Sequence, residues 1–283
     1  MIVDSHAHLD LPDFSEELDA VVARAADLGV NRIVTVGITV ERSKRSIELA
    51  ERFPGVYAAV GIHPNDAHEA PRDAIAALRE LAHHPRVVAI GETGLDYFRL
   101  PSLRTTHNKV DALGNEDAAD IDAAIEDGAI KAAQADFFGQ QLDLAAELGL
   151  NVIIHQRGDC WDDTMAILEP YQGKLRAVFH CFSGTTEEAE ELIAMGHLVS
   201  FTGIVTFKNA EIVQETAANL PLNAFMVETD CPYLAPVPFR GKRCEPAYTR
   251  FTVEKIAELR GESVDAIAKA TTATALEFFR FSR

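Results

Sequence analysis

The sequence predicts a (β/α)8 barrel, and three observations carry that prediction. Eight short apolar runs rich in β-branched residues alternate with amphipathic segments of helical period. Six side chains able to ligate a metal stand at or just beyond the ends of five of those runs. All six stand at the same, C-terminal end. Strand–helix units in series give right-handed crossovers and a parallel sheet. Eight of them close a barrel, whose functional groups come from the C-terminal ends of several strands. An open doubly wound sheet is the runner-up, but it would bring fewer strand ends to one point.

Taken in order, strands are expected at 2–5, 32–37, 56–61, 87–91, 151–155, 175–180, 198–202 and 225–229. Helices are expected between them at 15–28, 41–53, 72–83, 131–148, 160–169, 186–195 and 209–219, with two more at 247–260 and 263–280 closing the chain. Over 131–148 the positions of Phe137, Leu142, Leu144, Ala145 and Leu148 suit one buried face. Gly149 then ends the helix before the next strand, and Gly29 and Gly196 punctuate in the same way. One domain covering 1–283 accommodates all of this.

The rhythm breaks from about 100 to 130. That stretch is acidic and rich in Ala and Asp, with no clear period. It is expected to be an insertion on the ligand-bearing face, after the fourth strand. A solvated loop is the plainer reading of so acidic a segment. If it rises from the mouth, its charge would restrict the approach of a long polyanion.

Bulk properties narrow the class. Of the 283 residues, 47% are apolar, enough for a sizeable core, and no run is long enough to span a membrane. Asp4 and His6 in the first apolar stretch, without a basic leader, argue against a secretory signal. Cys160, Cys181, Cys231 and Cys244 form no Cys-x-x-Cys pair and read as reduced thiols of a cytoplasmic protein. A formal charge of −18 excludes coating of nucleic acid by a basic face. It leaves a nuclease open, because bound divalent ions add positive charge where phosphate would sit.

The candidate ligands are His6, His8, Glu92, His155, His180 and Asp230. His6 and His8 are spaced by two, so in a strand both imidazoles face one ion. Glu92 has two oxygens and can bridge two ions. Asp230 can ligate, accept a proton from the attacking water, or both. Mixed His and carboxylate ligands suit an open catalytic centre better than a closed structural one.

Five segments together resemble the TatD family of metal-dependent deoxyribonucleases, within the amidohydrolase superfamily. They are Ser5-His6-Ala7-His8-Leu9-Asp10, Gly61-Ile62-His63-Pro64, Gly91-Glu92-Thr93-Gly94-Leu95-Asp96-Tyr97, His180-Cys181-Phe182-Ser183-Gly184 and Glu228-Thr229-Asp230-Cys231-Pro232-Tyr233-Leu234. The resemblance runs through nearly the whole chain in the right order. It implies a nuclease dependent on Mg²⁺, Mn²⁺ or Zn²⁺ that acts on DNA, single-stranded or at 3′ ends, without an obligate protein partner. It implies that His6, His8 and Asp230 hold one ion and His155 and His180 a second, with Glu92 bridging and Asp230 accepting the proton. His63 is expected near the substrate phosphate, and Arg157 keeps a usual basic position. A basic and aromatic set follows the last strand, namely Tyr233, Phe239, Arg240, Lys242 and Arg243, and is expected to meet phosphates and unpaired bases.

Gln156 and Cys244 depart from the family pattern, as does the length of the 100–130 segment, and they bear on substrate preference more than on metal binding. Two rival functions stay open. One is hydrolysis of an ester or amide in a small molecule, since the fold alone does not choose the chemistry. The bridging Lys common in such enzymes is replaced here by Glu92. The other is a non-catalytic metal-binding scaffold, which the intact ligand set disfavours.

Overall fold

A computed structural model describes residues 1–104 and 116–281, without the side chains of 104 and 116–121. Eight strands run β1 (Ile2–Ala7), β2 (Val30–Val36), β3 (Val56–Val60), β4 (Val87–Asp96), β5 (Asn151–Arg157), β6 (Ala177–Phe179), β7 (Leu198–Phe201) and β8 (Phe225–Val227). Each pairs in parallel with the next, so sheet order follows chain order. The circle closes between β8 and β1. Ala7 bridges Cys231, the amide of His8 donates to Cys231 O at 2.9 Å, and the amide of Asp230 donates to His6 O at 2.9 Å. Closure is therefore made by the residues that neighbour the candidate ligands.

The helices are α1 (Leu18–Asp27), α2 (Val40–Arg52), α3 (Ala74–Ala82), α4 (Pro101–Arg104), α5 (Glu116–Leu148), α6 (Trp161–Leu168), α7 (Thr186–Ala194), α8 (Glu211–Asn219), α9 (Thr249–Arg260) and α10 (Val264–Phe279). None among the described residues is long and apolar enough to cross a membrane.

Strand periodicity divides the core in two. Val152, Ile154, Phe179, Phe201, Phe225 and Val227 face the helices. Val3, Val34, Ile153, Val178, Leu198 and Met226 fill the barrel interior. Phe278, Phe279 and Phe281, at and just past the end of α10, join that inner cluster and plug the N-terminal end. Asn151, the first residue of β5, donates to the carbonyl of Phe278 at 2.7 Å and fastens the plug.

Two expectations need correction. First, β4 does not end before its ligand. It continues to Asp96, so Glu92 lies inside the strand, paired alongside β5. Second, the 100–130 segment is not aperiodic throughout. Residues 101–104 form α4, and α5 starts at Glu116 rather than at 131. Ala and Glu favour helix wherever they stand, but they leave no apolar stripe for periodicity to find. Ile125 in this half is 67% exposed, whereas Ala123 is buried. The Ser102 amide donates to Asp127 at 3.2 Å, and Lys131 lies over the Tyr97 ring at 4.2 Å, so the extension is tied to the end of β4. Residues 105–115, where the expected restriction of access would also act, lie outside the described residues.

Candidate metal centre

The interior face that is apolar near the strand starts becomes ligand-bearing two residues later. Ile153 leads to His155, Val178 to His180, and Met226 to Glu228. In β1 and β4 a strict alternation would not aim the ligands inward. Both strands carry register irregularities there, between Asp4 and Ala7 and between Ile90 and Thr93. Such irregularities re-aim side chains beside functional sites. Gly94 (φ 134°) lets β4 press against β5, since a Cβ there would lie 2.0 Å from the His155 carbonyl oxygen. Asp230, past the end of β8, is itself left-handed, with φ 57°.

All six expected ligands converge. His6 Nε2 and His8 Nε2 are 3.3 Å apart. Glu92 Oε2 lies 3.4 Å from His6 Nε2 and 3.8 Å from His8 Nε2. Its other oxygen, Oε1, lies 2.7 Å from His155 Nδ1 and 2.7 Å from His180 Nε2. Those two nitrogens are 3.2 Å apart. Asp230 Oδ1 sits on the first group, 3.4 Å from His8 Nε2 and 3.9 Å from His6 Nε2. One carboxylate thus divides its oxygens between two histidine pairs.

Two imidazole lone pairs cannot face each other at about 3.3 Å without a proton or a cation between them. The residues therefore fit a cation, and their electrostatics agree. Burial pushes Glu92 upward, but His180, His63, His6 and the bond from His155 outweigh it and hold the carboxyl well below its usual range. Burial lowers His180, yet Glu92 and Glu228 carry it well above the ordinary imidazole value. Asp230 is raised by burial and lowered more by His8 and His6, so it stays ionised. Without ions, protons on histidine supply the positive charge that the buried carboxylates demand.

Neighbours orient the candidate ligands. His8 Nδ1–H donates to the Val36 carbonyl at 3.0 Å, which leaves the Nε2 lone pair for the centre. Asp96 accepts from His155 Nε2 at 3.3 Å, which turns Nδ1 inward, and it also accepts from Asn65 and from the Phe98 amide. Burial raises its carboxyl, but these partners bring it down to about 2. Glu228 accepts from Ser200 Oγ and the Cys181 amide, each at 2.6 Å, and stands 3.5 Å from His180 Nδ1. Asp4 accepts from the amide and hydroxyl of Thr229 and ties β8 to β1.

Asp96, Glu228, Asp4 and Asn65 were not singled out from the sequence. Asp96 and Glu228 did carry a signal, since both are acidic residues inside segments that also contain ligands.

His63 lies 3.5 Å from Glu92 Oε1 and 3.3 Å from His155 Nδ1. Its Nδ1 accepts from the Asn65 amide at 3.0 Å. Burial lowers its pKa to about 4, so the ring is neutral and its one proton sits on Nε2. His63 therefore points a donor, not a lone pair, into the centre.

The centre opens into a cavity of about 700 Å³. Arg157 lines it and lies over Phe98, 4.2 Å from the ring centroid. Tyr233 lines it with more than half its surface exposed, its ring 6.4 Å from that of His8. Two arginines not anticipated from sequence, Arg42 and Arg99, also line it. Arg42 is held by Asp10, Nη2 to Oδ1 at 2.9 Å.

The three cations after β8 are dispersed. Arg240 faces an adjoining cavity. Lys242 lies over the Phe239 ring at 5.9 Å. Arg243 donates to the Asp13 carbonyl at 2.6 Å and to Glu17 at 2.9 Å. Neither Lys242 nor Arg243 lines the central cavity, because acceptors at and before the start of α1 hold Arg243 down.

With this geometry in hand, the comparisons agree. Residues 3–280 match the family described as TatD related DNase. The metal-dependent hydrolase YabD of Bacillus subtilis, described as uncharacterized, is 37% identical over all of both chains. The 3′-5′ ssDNA/RNA exonuclease TatD of Erwinia billingiae is 34% identical, covering 98% of each chain. The crystal structure of YJJV, a TatD homolog from Escherichia coli, superposes with a TM-score of 0.83 at 28% identity, covering 99% of this chain and 98% of that one.

Proposed function

The chain belongs to the TatD family of metal-dependent hydrolases, and on that premise we propose that it cleaves phosphodiester bonds of DNA strands from the 3′ end. The observation that carries this reading is the division of Glu92 between His6/His8 and His155/His180. His6, His8 and Asp230 would hold one divalent ion and His155 and His180 a second, with Glu92 serving both. Two such ions would supply a water of lowered pKa and a Lewis acid for a phosphoryl oxygen.

The protein's own residues do the rest. Asp230 is ionised and accepts the proton of the attacking water at its carboxylate. His63 donates from Nε2 to a phosphoryl oxygen, a role its neutral ring keeps across the physiological range. Arg157, Arg42 and Arg99 balance phosphate charge within an otherwise acidic protein. Tyr233, exposed on the cavity wall, offers a face to an unpaired base. Lys242 and Arg243 have no direct part, since they lie away from the cavity.

Hydrolysis of a small ester or amide is the second reading. The open cavity, its three arginines and the exposed Tyr233 ring favour a polyanion with flat groups over a compact neutral substrate. The test is a labelled single strand beside a panel of esters and amides, each with Mg²⁺ or Mn²⁺ and with EDTA. Metal-dependent shortening of the strand from its 3′ end is expected. Turnover of a small ester or amide with the strand left intact would overturn the proposal.

A further inference from the structure

Beside the central cavity lies a second one of about 420 Å³, and the two share Ser183 and Ile204. The second is unlike the first. Among the described residues no histidine lines it. Phe207, Ile212 and Val213 give it an apolar wall, and Ile212 is 55% exposed. Arg240 lies over Phe207, 4.2 Å from the ring centroid. Among the described residues Arg240 makes no ion pair, whereas Arg243, three residues on, is bound to Glu17. Besides the shared Ser183 hydroxyl, the remaining polar side chains are the amide of Asn209 and the carboxylate of Glu211.

These features select an occupant. Glu211 disfavours a bare phosphate, and an aliphatic group would leave Arg240 and Asn209 unused. A nucleobase uses all of them. It is flat, it stacks on a ring or a guanidinium, and its edge carries donors for the carboxylate and acceptors for the amide. The free guanidinium edge is then left for a backbone phosphate. The shared wall at Ile204 and Ser183 makes this cavity the immediate neighbour of the metal centre, open to the next nucleotide of a bound strand.

We propose that this cavity binds the base of the penultimate nucleotide, on the 5′ side of the scissile phosphate, stacked against Phe207 and Arg240. The proposal rests on the nucleic-acid reading of the central site and adds the course of the strand. The strand leaves the barrel mouth between the ends of β7 and β8, over Ile204, rather than past Phe98 at the ends of β4 and β5.

The experiment compares kcat/KM for the first 3′ cleavage of three single strands of equal length. One is intact, one is abasic at the penultimate position, and one is abasic at the terminal position. The wild type is expected to lose about tenfold on the penultimate abasic strand, at the lower end of what a stacked base contributes. Phe207→Ala and Arg240→Ala should each shrink that penalty to under about threefold and leave the terminal penalty as it was. Phe207→Leu keeps apolar bulk without a ring and should lose the discrimination while matching the wild type in thermal unfolding, which separates stacking from misfolding. An unchanged penultimate penalty in all three variants overturns the proposal. So does a change confined to the terminal penalty, which would assign the cavity to the released nucleotide. A wild type that cleaves no strand refutes the nuclease reading itself, and one that cleaves the intact strand without a penultimate penalty refutes only the base site.

Discussion

At the floor of the barrel Ile153, Val178 and Met226 meet Phe278, Phe279 and Phe281; two residues further along the same strands stand His155, His180 and Glu228. Both layers are enclosed, yet they contribute with opposite sign. Burying the floor removes apolar surface from water and stabilises the fold. Burying the rim strips water from several ionisable groups, a cost that their mutual attraction only partly offsets. A step of two residues along a strand therefore separates what holds the barrel together from what equips it for chemistry. Changes at the two ends should separate in the same way.

The floor should give the largest effect on stability. Phe278 is 1% exposed. Phe278→Ala is expected to cost about 3–5 kcal/mol in denaturant unfolding, through lost burial and the cavity left behind. Turnover of the protein still folded should stay close to wild type. A variant of normal stability, or one folded but inactive, would erase the distinction between the ends.

Asp230→Asn is the converse. The rate should fall by at least ~10²-fold, the scale of a lost general base, with little loss of stability. Wild-type cleavage by the purified variant would remove Asp230 from the proposed role.

A smaller effect sits beside the floor, at the residue just before β7. His197 is buried, its Nδ1 accepts from the Ala177 amide, and Nε2 finds no partner among the described residues. Burial and the nearby Arg176 lower its pKa from 6.5 to about 4. The unfolded chain therefore binds a proton that the folded protein refuses between those values. The stability this residue carries is intact above pH ~6.5 and is lost as pH falls towards 4, about 3 kcal/mol in all. Unfolding of chelated protein across that range should be less acid-sensitive in His197→Gln. A parallel pH slope in the two proteins would exclude the residue.

The same contrast explains what could be read from the sequence. Floor and rim alternate with strand period, so eight strands and six converging side chains were legible. Glu92 was expected past its strand because the apolar run stops at Ile90; in the structure Gly91 and Gly94 let β4 hug β5 and continue. The N-terminal half of α5 was missed because its helix rests on Ala and Glu propensity and on ties to the end of β4, not on an apolar stripe. Asp96 and Glu228 serve partners on other strands, a relation no local pattern encodes. Arg240 and Arg243 look alike in one basic loop. Only the fold shows that Glu17 and Asp13 take Arg243 while Arg240 stays free of ion pairs among the described residues.

The central claim is that one carboxylate joins two cation sites, and it is tested most directly by counting metal. Protein purified without chelators, or reconstituted with Mn²⁺, should hold two equivalents per chain. Glu92→Ala should hold fewer than one at the same free metal concentration, because both histidine pairs lose their shared anion. Two equivalents retained by Glu92→Ala, or a wild type that saturates at one, would contradict the account.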